Sequence, residues 1–249
     1  MDSHSPIDAS PVRIPAPDGE IPGYQARPAA GDALPVVLVV HEIFGVHEHI
    51  RDVCRRLARQ GYFAVAPQLF ARVGDVSGIA DIQELIKLAA QISDEQVMSD
   101  LDATLAWAAG TGQANLSRVA ITGFCWGGRI VWLYAAHDPR LKAGAAWYGR
   151  LVGQPDPRHP RHPVDVARGL HAPVLGLYGG RDQSIPPDTV ERMRAQLAAA
   201  GSPSEIVVYP EAGHAFNADY RPNFHPASAA DAWQRMLAWF AGTQLKPQS

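Results

Sequence analysis

Short uninterrupted runs of hydrophobic, largely β-branched residues punctuate the chain, beginning with Pro-Val-Val-Leu-Val-Val at residues 35–40. Such runs are typical of strands that are covered on both faces in a parallel sheet. The segments between them space their apolar residues as helices do. This alternation predicts an α/β fold with a mostly parallel central sheet and helices on both faces. The predicted strands are residues 35–40, 62–66, 119–124, 143–148, 174–178 and 206–209, and the predicted helices are residues 49–60, 83–90, 100–107, 129–136 and 227–241.

The first part of the sequence predicts a hairpin. Residues 12–17 and 20–26 are strand-like and flank Asp18-Gly19, a dipeptide suited to the backbone angles of a tight turn. Prolines at positions 15, 17 and 22 favour an exposed edge over a central strand. We therefore expect an N-terminal antiparallel edge hairpin, preceded by a flexible tail at residues 1–10. Residues 11–249 are expected to form a single domain, because no linker or internal repeat interrupts them.

Composition narrows the class of protein. Hydrophobic residues make up 47% of the 249 residues, which is ample for a sizeable core. The net charge of -3 is spread without basic or acidic blocks, so neither nucleic acid nor a membrane surface is an expected partner. The chain has only two cysteines, and its first residues lack a signal-peptide pattern, which together predict a reducing, cytoplasmic location. No apolar stretch approaches the roughly 20 residues needed to cross a bilayer.

One cysteine stands where a predicted strand turns into a predicted helix. Cys125 lies in Gly123-Phe-Cys-Trp-Gly127, the Gly-x-Ser-x-Gly pattern of a nucleophile elbow with sulfur in place of oxygen. The glycines allow close backbone approach, and the start of the helix favours a thiolate. A lone cysteine is more often a buried structural residue, but this setting favours a nucleophile.

A thiol nucleophile needs a base, and the base needs an acid that orients its ring. In elbow hydrolases the chain order is nucleophile, acid, histidine. Asp182 follows the strand at residues 174–178, and His214 follows the strand at residues 206–209, so order and location both fit. The alternatives are a helix cap for Asp182 and a structural role for His214.

The loop after the first parallel strand is the next candidate region. In elbow hydrolases this loop supplies one N–H of the oxyanion hole, and the residue after the nucleophile supplies the other. These positions are Ile43 and Trp126. Glu42 stands so close to the expected thiol that it is predicted to keep it protonated at rest. Its alternative is a solvated glutamate at a helix start.

Other features of the sequence bear on the binding of a metal, a nucleotide or a substrate. The histidines at 41, 47, 49, 159 and 162 lack the cysteine or carboxylate spacing of a zinc site, so no metal is expected. No nucleotide-binding glycine pattern is present, and no cofactor is expected. Residues 149–170, rich in proline, arginine and histidine, follow a predicted strand end and form either a partial lid or an exposed irregular loop.

The motifs His41-Glu-Ile-Phe-Gly-Val46, Gly123-Phe-Cys-Trp-Gly-Gly128 and Ala212-Gly-His-Ala-Phe216, together with the Asp182 loop, resemble those of the dienelactone hydrolase family of α/β-hydrolases. The resemblance extends over most of the chain, roughly residues 12–240. It implies a Cys125-His214-Asp182 triad, with Glu42 paired to the resting thiol. It also implies hydrolysis of lactones such as carboxymethylenebutenolide to an open-chain keto acid, without a cofactor.

The sequence departs from the family at one position. The well-known members hold the substrate carboxylate with arginines, one of them four residues beyond the catalytic histidine, where this chain has Ala218. A guanidinium elsewhere is expected to take over this role, because it binds a carboxylate with two hydrogen bonds. The candidate substrate contacts are Phe44, Arg72, Tyr148, Arg150, Phe216 and Arg221.

Three functions are compatible with these residues. The first is a cysteine-dependent lactone or ester hydrolase that acts on a small molecule as a monomer or small homo-oligomer. The second is a hydrolase of other small esters or thioesters in the same pocket. The third is a ligand or redox sensor that keeps the fold without turnover.

Overall fold

Residues 6–245 are described by the structure, a computed structural model. Within them, eight strands form one sheet: β1 Ile7–Ala16, β2 Gly19–Pro28, β3 Leu34–Val40, β4 Phe63–Pro67, β5 Ala114–Phe124, β6 Leu141–Trp147, β7 Val174–Gly179 and β8 Glu205–Tyr209. Their order across the sheet is β1-β2-β4-β3-β5-β6-β7-β8. From β4 to β8 all neighbouring strands are parallel, which confirms the predicted mostly parallel sheet.

The N-terminal hairpin is antiparallel, as predicted, but it is longer than the sequence suggested. β1 already begins at Ile7, which pairs with Pro28 of β2, so residues 7–10 are not a tail. The backbone of β2 runs on to Pro28 and provides these residues with hydrogen-bonding partners. Residues 1–5 of the predicted tail lie outside the described residues.

Within the hairpin, β1 lies at an edge of the sheet and β2 does not, because β2 also pairs with β4. The pairing of β2 with β4 covers residues 23–26 and leaves out Pro22, whose carbonyl instead accepts the N–H of Gln68. The missing N–H of Pro22 therefore does not interrupt the ladder with β4.

Seven α-helices occur among residues 6–245: α1 Glu48–Arg59, α2 Ile82–Ala89, α3 Asp94–Gly110, α4 Trp126–His137, α5 Pro163–Val166, α6 Pro187–Ala199 and α7 Pro226–Phe240. The third starts earlier than its apolar spacing predicted, because the Ser93 side chain caps it by accepting the N–H of Gln96. No helix in this part of the chain is long and apolar enough to cross a membrane.

The central strands of the sheet are covered on both faces. Every residue of β3 and β4 is buried, so both faces of these strands are covered. α4 is buried along most of its length and packs against β5 and β6. The parallel strands all end at the same edge of the sheet, and their loops contain the candidate residues. In open α/β sheets this carboxyl edge is where ligands bind.

The segment at residues 149–170 is tied to α3 and α4. Arg129 of α4 forms two hydrogen bonds with the carboxylate of Asp94, at 2.5 and 2.8 Å, and a third with the carbonyl of Arg161. The carbonyl of Arg158 accepts the N–H of Asp94. Within residues 6–245, no hydrogen bond of this segment reaches Glu42, the cysteine, the aspartate or the histidine of the predicted site.

Candidate active site

Cys125 lies in the turn between β5 and α4 in a conformation that few residues adopt. Its φ is 53° and its ψ is -112°, a strained combination for a residue with a side chain. A Cβ atom on Gly123 would overlap the carbonyl of Gly127, and one on Gly127 would overlap the carbonyl of Val40. Both glycines of the elbow pattern are therefore required by close backbone contact.

The ends of β5, β7 and β8 bring three predicted residues together. His214 Nδ1 donates to Asp182 Oδ2 at 2.7 Å, and His214 Nε2 lies 3.2 Å from Cys125 Sγ. Asp182 is buried, and its other carboxylate oxygen accepts the N–H of Ser184 at 2.8 Å. The carboxylate therefore fixes both the tautomer and the orientation of the histidine that faces the sulfur.

The electrostatic setting of His214 favours its charged form. Burial on its own lowers the pKa of His214, but the hydrogen bonds to Asp182 and Cys125, together with their negative charges, outweigh burial and raise that pKa to about 10. At neutral pH the ring is therefore an imidazolium that can donate a proton from Nε2. A thiolate beside an imidazolium is a common form of an activated cysteine.

Glu42 is buried beside this group but bonds to other residues. Its Oε2 accepts from the Tyr220 hydroxyl at 2.5 Å and from His47 Nε2 at 3.3 Å, whereas its Oε1 has no partner among the described residues. Burial opposes ionisation, but the hydrogen bonds from His47 and Tyr220 lower the pKa of Glu42 below its ordinary value. The predicted pairing of Glu42 with the thiol of Cys125 is not seen in this structure, where the described contact of the sulfur is with His214.

Two backbone N–H groups face no acceptor near the cysteine. Within residues 6–245, neither the N–H of Ile43 nor that of Trp126 donates a hydrogen bond. Trp126 is the first residue of α4, where backbone N–H groups have no acceptor within the helix. Both residues are only partly buried.

The three candidate arginines differ in their surroundings. The Arg221 guanidinium lies 5.2 Å from the Phe44 ring centroid, and its charge acts on the hydroxyls of Tyr148 and Tyr220. Arg72 instead forms an ion pair with the buried Asp100 at 2.6 Å. Arg150 is exposed and has no hydrogen bond or ion pair within the described chain. Of the three, Arg221 is the one with described contacts at the candidate site.

The predicted aromatic contacts separate into two groups. Phe44 is partly exposed and lies between Tyr220 and Arg221. Tyr148 is fully buried, its ring lies 5.3 Å from that of His214, and its hydroxyl has no partner in the described part of the chain. Phe216 is also fully buried and packs against Tyr148 at 5.3 Å, so it supports the site without exposed surface of its own.

Two residues that hydrogen-bond to the Glu42 carboxylate are not predicted from the sequence. Tyr220 donates to Glu42 across 178 residues of sequence, and no local pattern signals such a contact. His47 was considered only as a metal ligand, although its position five residues after Glu42 allows the observed contact. The described residues contain no group of three or more histidine, cysteine or acidic side chains that could hold a metal ion.

A groove on the surface lies away from the candidate site. It has a volume of about 760 Å³, lies between α3, α4 and residues 160–166, and contains none of the candidate residues. The hydrogen-bonded group at the carboxyl edge of the sheet is a better guide, because it combines a strained cysteine with a histidine of strongly raised pKa.

The strand order and the elbow define an α/β-hydrolase, and the comparisons agree. A Pyrobaculum calidifontis esterase has the same fold, with a TM-score of 0.72 at 19% identity over 98% of this chain and 88% of that chain. A model of the "Dienelactone hydrolase family" matches residues 21–244. The chain belongs to the dienelactone hydrolase family.

Similar proteins cover nearly the whole chain. A "Putative carboxymethylenebutenolidase" of Methylorubrum extorquens is 60% identical over 93% of this chain and 80% of its own length. A Salmonella typhimurium protein of the same name is 60% identical over 96% of this chain and 90% of its own. The crystal structure of a "Putative Dienelactone Hydrolase" from Klebsiella pneumoniae has a TM-score of 0.93 and 59% identity, covering 95% of this chain and 99% of that one.

Proposed function

We propose that this chain hydrolyses small lactones or esters with Cys125 as its nucleophile, His214 as its acid and base, and Asp182 as the group that orients His214. The observation that carries the proposal is the continuous hydrogen-bonded series from Asp182 through His214 to Cys125. Its sulfur end lies at a strained strand-to-helix turn, the place where elbow hydrolases present their nucleophile.

In the proposed reaction, the Cys125 thiolate attacks the carbonyl carbon, and the carbonyl electron pair moves onto oxygen. The N–H groups of Ile43 and Trp126 stabilise this oxyanion. Collapse of the intermediate breaks the carbon–oxygen ester bond, and the leaving oxygen takes a proton from His214 Nε2. His214 then removes a proton from water, which attacks the thioester and releases the carboxylic acid and the thiolate. In a lactone, both products remain parts of one open-chain molecule.

The names of the relatives and the position of one arginine support the proposed substrate class. Several relatives at about 60% identity carry the name "Putative carboxymethylenebutenolidase", which supports a lactone that bears a carboxylate. The residue four positions after His214 is Ala218, which is fully buried and has no charged side chain. We assign carboxylate binding to Arg221, since it is the candidate arginine beside Phe44 and Tyr220.

Ala218 also favours a second candidate, a hydrolase of neutral esters or thioesters. If Arg221 does not bind a carboxylate, nothing in the site selects an anionic lactone. The two substrate classes use the same triad, so they differ in KM and share the dependence on Cys125.

The test is steady-state hydrolysis of dienelactone, p-nitrophenyl acetate and a small thioester by the wild type, Cys125→Ser and Cys125→Ala. We expect turnover that is highest for dienelactone and that falls by at least about 10³-fold in Cys125→Ala. Turnover of neutral substrates alone would support the second candidate. Full turnover by Cys125→Ala would overturn the mechanism, and no turnover by the wild type, with rapid oxidation of Cys125, would support a sensor.

A further inference from the structure

A buried histidine that the proposed reaction does not use holds the loop after β3. His41 is fully buried, and its Nδ1–H donates to the carbonyl oxygen of Glu42 at 2.6 Å. The N–H of Leu69 donates to His41 Nε2 at 3.0 Å. Because Nε2 accepts a hydrogen bond, the proton of the neutral ring resides on Nδ1. Burial lowers the pKa of His41 to about 4, so the ring is neutral at neutral pH.

The carbonyl held by His41 belongs to the same peptide unit as the N–H of Ile43. No peptide bond in the described residues is cis, so the C=O and the N–H of this unit point in opposite directions. A peptide unit is planar and rigid, and fixing its oxygen fixes the direction of its hydrogen. The Glu42 carbonyl also accepts the N–H of Gly45 at 3.3 Å, but the bond from His41 is the shorter of the two. The hydrogen bond from His41 therefore helps to set the direction of the Ile43 N–H, which has no acceptor of its own among residues 6–245.

The His41 ring also contacts Trp126, whose backbone N–H is the second proposed oxyanion donor. His41 stacks on Trp126 with the ring centroids 5.7 Å apart and the planes at 16°. The Phe70 ring packs edge-on against both, with centroid distances of 4.8 Å to each. Leu69 and Phe70 follow β4, so the His41 ring connects the loops after β3, β4 and β5.

We propose that His41 is a positioning residue for the oxyanion hole, acting through the Glu42–Ile43 peptide without touching the substrate. This inference rests on the proposed function. Removal of one oxyanion donor typically lowers kcat by about 10²–10³-fold. If the Ile43 N–H remains but points in the wrong direction, acylation is expected to be slower by about 10- to 100-fold.

The test compares two reactions of the same sulfur. Acylation of Cys125 by p-nitrophenyl acetate passes through an oxyanion, whereas alkylation by iodoacetamide forms a carbon–sulfur bond and expels iodide without one. His41→Phe keeps a ring that can stack on Trp126 but can neither donate nor accept. We expect the p-nitrophenol burst to slow by about 10- to 100-fold, with KM changed by less than about threefold. The alkylation rate should be unchanged.

His41→Asn is the rescue variant, because its amide N–H can take the place of Nδ1–H, and His41→Leu is its isosteric control without a donor. We expect His41→Asn to acylate faster than His41→Leu, a comparison that also serves if His41→Phe does not fold. Unchanged acylation in His41→Phe, equal losses of acylation and alkylation, or equal rates for the asparagine and leucine variants would overturn the inference. Absence of Cys125-dependent acylation in the wild type would instead overturn the proposed function on which it rests.

Discussion

The two sides of the candidate site differ in how fully their polar groups are paired. On one side, both ring nitrogens of His214 and both oxygens of Asp182 have partners. On the other side, Glu42 Oε1 and the Tyr148 hydroxyl are buried without a hydrogen-bond partner among residues 6–245. The polar groups on the first side are preorganised, whereas the second side has two buried polar atoms that can still form hydrogen bonds.

This difference separates the proposed chemistry from the proposed recognition. Groups that act on a transition state work best when they are already oriented, because no reorganisation is then needed during the reaction. A buried polar atom without a partner lowers stability, so its presence near Cys125 suits a group that forms a hydrogen bond when a ligand arrives. Changes on the first side should therefore affect kcat, and changes on the second should affect substrate preference or reactivity at rest.

The largest expected effect is on the first side, in Asp182→Asn. The amide donates to His214 Nδ1 and so places the remaining ring proton on Nε2, where the ring cannot accept one, and kcat should fall by about 10⁴-fold. The pKa of His214, about 10 in the wild type, should fall because burial then acts without the carboxylate. Steady-state kinetics and NMR titration of the His214 ring measure both.

The pH dependence follows from the same pKa. Wild-type kcat/KM should decline as the pH rises through about 10, because His214 then loses the proton that the leaving oxygen needs.

The control for Asp182→Asn is Asp188→Asn, in the first turn of α6, which should behave like the wild type. Wild-type kinetics in Asp182→Asn would remove Asp182 from the mechanism.

On the second side, Arg221→Ala should change substrate preference. Loss of a charge-assisted hydrogen bond should lower kcat/KM for dienelactone by about 10- to 100-fold, whereas p-nitrophenyl acetate, which has no carboxylate, should be nearly unaffected. Arg150→Ala should leave both substrates unchanged, because Arg150 is exposed and has no partner within the described chain. Equal losses on both substrates would contradict a role for Arg221 in carboxylate binding.

Glu42→Gln should have a smaller effect, on the thiol at rest. Glu42 and Cys125 both act electrostatically on Tyr148 and Tyr220, so the two groups share one electrostatic environment. Removal of the carboxylate charge favours the thiolate, and alkylation of Cys125 by iodoacetamide without substrate should accelerate by about three- to tenfold. Glu48→Gln, on the exposed first turn of α1, is the matched control. A slower reaction in Glu42→Gln would show that the carboxylate promotes the thiolate.

The smallest expected effect is on stability. Tyr148→Phe removes a hydroxyl that has no partner in the described residues, so its free energy of unfolding should stay close to that of the wild type. Tyr134→Phe is the matched comparison, because the Tyr134 hydroxyl bonds to Asp102 at 2.9 Å and to Asp138 at 3.0 Å. That variant should lose about 2 kcal/mol. Denaturant unfolding measures both, and an equal loss would show that the Tyr148 hydroxyl has a partner.

The sequence revealed features that depend on local pattern. β-branched runs predicted the parallel strands, and the glycines around Cys125 predicted the sharp turn that places its sulfur at the sheet edge. Asp182 and His214 could be selected because each follows a strand whose end must lie at that same edge. Local pattern was sufficient here because the geometry of a parallel sheet supplies the long-range information.

Contacts between distant loops could not be predicted in this way. The bond from Tyr220 to Glu42 depends on how the loop after β8 folds back, and no periodicity encodes that path. The choice among three arginines likewise required side-chain positions. The early start of β1 was missed because it depends on the length of its partner strand and its own composition gives no sign of it.

The order of the strands leaves the sheet with two unlike edges. β1 carries Pro11 and Pro15, which have no N–H to offer to the strand of another molecule. β8, at the opposite edge, is only five residues long and begins with the charged Glu205. Short, charged and proline-containing edges oppose the edge-to-edge growth that leads to aggregation. The architecture that presents the thiol of Cys125 at the ends of its strands is thus protected along its sides.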